Sequence, residues 1–147
     1  MNSMRLVVAG ALCAVVSVGA WAGEKEDAQQ LVAEAVAHVG KDKAAAVAEI
    51  GKPKGRYVKG EVYVFAYDLN GVMVAHPMNS KLVGKSLLDV PDAAGKMFRK
   101  EIVSGVTAAG SATVDYKYKN PTSGAIEDKV TVCKKAADLA VCAGYYK

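Results

Sequence analysis

Tyr63, Phe65, His76, Arg99, Tyr116 and Lys129 are side chains of the types that hold a small organic anion. His76 closes an apolar run just before Pro77, and a proline holds the residue ahead of it in extended backbone. From there its imidazole could donate to a carboxylate, with a charge that responds near neutral pH. It could equally satisfy the irregular backbone that follows the run. Lys129 shares a strand face with Thr131 and Cys133, so it must reach water along its stem or pair with a buried anion. Asp115, Glu127 and a ligand carboxylate are the three candidate partners. Tyr63 and Tyr116 offer hydroxyls from aromatic surroundings, or simply pack, and Phe65 adds a ring to the same wall. Arg99 is a weaker candidate, because most helical arginines are solvated. His38 lies among apolar helix positions and reads as a surface or packing residue.

Other chemistries find no footing. Neither of the two histidines completes a nucleophile motif, and there is no Cys-x-x-Cys or His-x-x-x-His spacing for a metal. No glycine-rich phosphate loop is present. The reading is a protein without catalytic activity or cofactor. The formal net charge is +4, but Lys41, Lys43, Lys52, Lys54, Lys81 and Lys85 are scattered rather than gathered in a stripe, so no nucleic-acid footprint emerges.

The N-terminus looks like an export leader. Arg5 precedes the apolar run Leu6–Val18, and Ala20-Trp21-Ala22 has the small-x-small form of a cleavage site. The run is short of the ~20 residues a spanning helix needs, so stable membrane insertion is not expected. The expected organisation is a cleaved segment 1–22 followed by one domain over 23–147, periplasmic or secreted. Cleavage removes Cys13 and leaves Cys133 and Cys142, symmetric about Ala137-Asp138. A hairpin turning there would oppose the two cysteines, and an oxidising compartment favours their disulfide. Free buried thiols or a redox-active pair are the alternatives.

These residues need elements to position them. Ala28, Leu31, Val32, Ala35, Val36 and Val39 recur at helical spacing over Glu24–Val39. Asp42–Ile50 resumes as a shorter helix, ended by Gly51 and Pro53. Tyr57–Asn79 reads as two strands around Asp68-Leu69-Asn70-Gly71, with Asn70-Gly71 expected to supply the positive φ angles of the turn. Val62, Val64 and Ala66 fall on one face of the first strand, and Tyr63, Phe65 and Tyr67 on the other. Met78–Asp92 reads as a long ordered loop anchored by Leu87, Leu88 and Val90. A helix follows over Ala93–Val106 with Met97, Phe98, Ile102 and Val106 inward. Strands Ala112–Tyr118, Asp128–Cys133 and Leu139–Tyr145 complete an α+β chain: one antiparallel sheet of five or six strands, with N-terminal helices and an inserted loop-helix segment.

The run Tyr63–Val72 followed by Ala75-His76-Pro77 resembles the first half of a single Cache domain. Leu82-Val83-Gly84-Lys85-Ser86-Leu87-Leu88-Asp89, Gly95-Lys96-Met97-Phe98, Val114-Asp115-Tyr116, Asn120-Pro121, Lys129 and Ala143-Gly144-Tyr145-Tyr146 continue the pattern. The resemblance spans roughly Glu24 to Lys147. It implies a PAS-like Cache fold and an extracytoplasmic sensing role in signal transduction or chemotaxis. It further implies a small organic ligand, often a carboxylate, bound on one face of the sheet. The expected partners are such a ligand and a membrane chemoreceptor or sensor kinase. The alternative is a scaffold that docks on a membrane sensor with no ligand of its own.

Overall fold

The computed structural model describes residues 23–147, so the expected leader lies outside the described residues. Helix α1 (Glu24–Lys41) carries Glu24, Glu26 and Asp27 in its first turn, where acids suit the helix dipole. Asp42 separates it from α2 (Lys43–Ile50) and caps that helix, its side chain accepting from the Ala45 amide at 3.0 Å. The chain then runs through β1 (Val58–Lys59), β2 (Val62–Asp68), β3 (Met73–Ala75), α3 (Phe98–Ala109), β4 (Ser111–Lys119), β5 (Ile126–Ala136) and β6 (Leu139–Tyr146). The strands form one antiparallel sheet in the order β1-β2-β6-β5-β4, with β3 paired to β2. Among the described residues no helix is long and apolar enough to cross a membrane.

The alternation read in β2 splits the core in two. Val62 and Val64 meet Leu31, Val32, Ala35 and Val39 of α1, with Ile50 of α2, on one side of the sheet. Tyr63, Phe65 and Tyr67 meet Met73, Leu87 and α3 residues Phe98, Ile102 and Val106 on the other. A two-faced antiparallel sheet with both faces covered is the α+β arrangement expected.

Local details differ from the sequence reading in four places. In the β2–β3 turn only Gly71 has a positive φ, at 82°. The other constraint is the Asp68 carboxylate, which accepts from the amides of Asn70 and Val72, each at 2.9 Å. Leu88 packs where a Gly71 Cβ would sit, 2.9 Å away. Helix α3 starts at Phe98, not Ala93. Asp92 instead gathers the amides of Ala94, Lys96 and Lys117 around the left-handed Gly95, which holds that stretch out of the helix. Met97 is therefore exposed rather than inward. The 78–92 segment is pinned to β3's outer edge through Gly84 N–H to Met73 O and Met73 N–H to Lys85 O. Its buried anchor is Leu87, whereas Val90 is exposed.

Strands β5 and β6 join through a two-residue turn at Ala137-Asp138, with Ala137 left-handed at φ 52°. Cys133 faces Cys142 in that register, and the two form a disulfide across a Cα–Cα distance of 4.1 Å. The bond closes a loop with a sequence separation of 9. Breaking it should cost about 2–3 kcal/mol through the entropy returned to the unfolded chain. Urea unfolding of Cys133→Ala/Cys142→Ala against the oxidised protein checks this, and equal midpoints would refute it.

Candidate functional site

Strand register assembles the site. Tyr63 of β2 pairs with Gly144 of β6, and Gly144 pairs with Thr131 of β5. Lys129, two residues before Thr131 on the same face, reaches across the sheet so that its Nζ donates to Tyr63 Oη at 3.0 Å. The route passes over Gly144. A Cβ there would overlap Lys129 Cε and come within 2.5 Å of Thr131 Oγ1. The glycine is what gives the lysine stem its path.

The ammonium sits among four rings. Nζ lies 4.4 Å from the Tyr63 centroid, 4.9 Å from Tyr118, 5.0 Å from Tyr146 and 5.3 Å from Phe65. Lys129 is 1% exposed and makes no ion pair among the described residues. Asp115 projects to the other face, exposed beside Lys147. Glu127 has a buried Oε2 with no partner of its own. Burial alone therefore acts on the amine and lowers its pKa to about 7.

Arg99 is a second buried cation. Its place in the first turn of α3 turns it toward the sheet, where Nε donates to Tyr67 Oη and one terminal nitrogen to Val90 O, both at 3.1 Å. Its burial departs from the solvated position usual for a helical arginine. Of the carboxylates, Asp27 is buried to 8% exposure on the far side of the sheet, bonded to Lys59 at 2.6 Å, and Glu127 keeps one oxygen buried.

His76 serves the backbone with one nitrogen. Nδ1 accepts from the amides of Met78 and Asn79, at 3.2 and 3.0 Å, which leaves Nε2 to carry the ring proton. The ring stacks against Phe65 at 5.8 Å. Burial, with Lys129 and Arg99 adding to it, lowers its pKa to about 3, so the imidazole stays neutral. Beside it opens a cleft of about 180 Å³ lined by Tyr63, His76, Met78, Asn79, Tyr118, Lys119 and Pro121. That is smaller than the ~300–1,000 Å³ of drug-sized sites and suits a ligand of few heavy atoms.

Of the residues singled out in the sequence, Tyr63 and His76 line this cleft directly. Phe65 stands behind them, and Lys129 lies against two lining rings. Tyr116 does not line it: its hydroxyl bonds Thr131 Oγ1 at 2.8 Å and its ring stacks on Phe98 at 3.9 Å. Tyr118, Tyr146 and Gly144 were not singled out as site residues. The signals that point to them are the alternation of β4 and a glycine inside a strand. His38 bonds Tyr57 Oη at 2.9 Å on the α1 side. Two further hollows, of about 220 Å³ along α1 and about 550 Å³ between α2 and β3, are open and gather no buried polar groups.

The family model for single Cache domain 2 matches residues 17–144. The chain belongs to that family. A solved methyl-accepting chemotaxis protein of Vibrio parahaemolyticus superposes on this Cache domain with a TM-score of 0.70, at 22% identity, covering 83% of this chain and 87% of that one. The periplasmic sensor domain of a chemotaxis protein gives a TM-score of 0.66 at 28% identity, covering 84% and 89%. A Cache chemosensory domain solved for its recognition of carboxylic acids gives 0.70 at 22% identity, covering 84% and 92%. In sequence, the sensor histidine kinase MctS of Rhizobium johnstonii is 33% identical over 69 residues, 47% of this chain. That match spans 15% of the kinase. Cache domains are sensory, ligand-binding modules of chemoreceptors and histidine kinases.

The crossing at Gly144 generates a measurable expectation. Gly144→Ala should destabilise the domain by about 1–3 kcal/mol through overpacking. Adding Lys129→Ala should recover part of that loss, because the two side chains compete for one volume. A double-mutant cycle by urea unfolding measures it, and strict additivity would show that Lys129 takes another route.

Proposed function

We propose that this Cache domain binds a small organic anion, a carboxylate of few heavy atoms, in the cleft beside His76. One observation carries the reading: Lys129 and Arg99 are both buried on one face of the sheet with no carboxylate paired to either. Burying a charge is costly unless it is paired, so such an arrangement favours an anion brought in from solution. Lys129 behind the Tyr63 ring, Arg99 beside Tyr67 and the His76 Nε2 proton supply the attraction and the donors. The carboxylic-acid recognition of a solved Cache neighbour agrees with this chemistry. On this reading residues 1–22 are an export leader, 23–147 form one soluble periplasmic or secreted module, and the module takes part in sensing. A membrane chemoreceptor or sensor kinase is its macromolecular partner.

Denaturation against a panel of small carboxylates tests the reading. An acid at ~100 times its Kd should add about 2.7 kcal/mol of stability. Lys129→Met, which keeps the apolar stem, should weaken binding through the lost positive charge while the domain still folds. No stabilisation by any acid, with a well-folded protein, would remove the proposal.

The lowered Lys129 pKa adds a pH dependence. Between about 7 and the ordinary lysine pKa of 10.5, the unfolded chain holds a proton on this lysine that the native protein has released. The stability of the ligand-free protein should therefore rise with pH across that window. Anion affinity should move the opposite way, falling above about pH 7 as the ammonium is lost. Titration calorimetry from pH 6 to 9 measures it, and a flat profile would show that Lys129 does not contribute charge.

A second reading has its own support. Lys129 bonds Tyr63 and Tyr116 bonds Thr131, so these residues partly fill the space between them. In that reading the domain is a scaffold docking on a membrane sensor without a ligand. Capture of a receptor fragment by acid-free protein, with no response to any acid, would favour it.

A further inference from the structure

We propose that Lys129 fixes the sign of charge this site accepts, because its own side chain occupies an aromatic cage that would otherwise take an organic ammonium ion. Four rings from three strands surround Nζ within 4.4–5.3 Å: Tyr63 and Phe65 from β2, Tyr118 from β4 and Tyr146 from β6. A cation within about 6 Å of several ring faces is the arrangement by which proteins recognise alkylated ammonium ligands. Here the ammonium arrives covalently, as the end of a butyl arm laid over Gly144. The cage is loaded from inside the fold.

Two consequences follow for selection. Free amines meet a cage already filled, and they meet the positive charge of Lys129 and Arg99. A 2-amino acid therefore carries its ammonium toward two buried cations, Lys129 and Arg99, while its 2-hydroxy counterpart presents only a hydroxyl. The site takes acids that lack an amino group, and this clause rests on the carboxylate reading above. The cage itself does not. Tyr63 and Tyr118 belong both to the cage and to the wall of the cleft. Shortening Lys129 would thus open the cage toward solvent.

The test has two arms. In the first, purified Lys129→Ala and wild type are melted with n-propylammonium chloride or with 1-propanol, which has the same chain length and no charge. Lys129→Ala should gain several degrees with propylammonium and bind it roughly tenfold more tightly than 1-propanol. Wild type should gain nothing from either. Equal responses of Lys129→Ala to the two probes would overturn the proposal, as would an equal gain by wild type. If Lys129→Ala is recovered unfolded, its refolding yield in the same two solutes reads the same preference. A higher yield in propylammonium supports the cage, and equal yields overturn it.

The second arm compares isosteric pairs on wild type: glycolate with glycine, and L-lactate with L-alanine. Binding of either amino acid as tight as its hydroxy counterpart would overturn the proposed selection. Failure of the whole carboxylate panel would sink the proposed function instead. The response of Lys129→Ala to propylammonium would still decide the cage.

Discussion

The Lys129–Tyr63 hydrogen bond crosses the sheet where its two outer pieces meet, and much of the molecule is arranged around it. Strand β2 carries the acceptor, β5 the donor and β6 the glycine that lets one reach the other. A buried ammonium is tolerated here because rings replace part of the water it loses and one phenol oxygen accepts a hydrogen bond from it. The cation in turn helps hold His76 neutral, so that ring can accept two backbone amides after β3. Removing the positive charge would relax several features together.

The opposite face of the sheet is simpler. Valines and alanines of β2 and β6 pack on the apolar stripe of α1, with Asp27 and Lys59 closing its first turn at the edge. The two buried cations, Lys129 and Arg99, and His76 lie on the face under α3 and the 78–98 segment. The division follows from strand geometry: successive residues of β2 point to opposite sides, so one strand supplies both an aliphatic floor and an aromatic wall.

That division was legible in the sequence, since Val62, Val64, Tyr63, Phe65 and Tyr67 alternate without interruption. The Cys133–Cys142 pairing followed from hairpin symmetry in the same way. Arg99 was harder, because its burial depends on where α3 begins. The Asp92 clasp around Gly95 moves that start to Phe98, and no helical period reports a clasp made by a side chain. The cage was harder still. Tyr118, Tyr146 and Gly144 lie on strands separate from Tyr63, and what brings them together is the register of β2-β6-β5-β4, a long-range property. Tyr116 had the right face and residue type, but Thr131 and Phe98 engage it first.

The strand order also bears on how the chain reaches this state. Strand β6 lies between β2 and β5, and its pairing with β2 joins Tyr63 to Gly144 across most of the domain. The hairpins at Ala137-Asp138 and at the β4–β5 turn can form early, because each closes a short loop. The central seam cannot close until residues near 140 are available to meet those near 65. Pairing between such distant parts of the chain slows folding relative to a fold built from local contacts. A nascent chain lacking its last strand would leave β2 with an unpaired edge, open to pairing with another chain until β6 arrives.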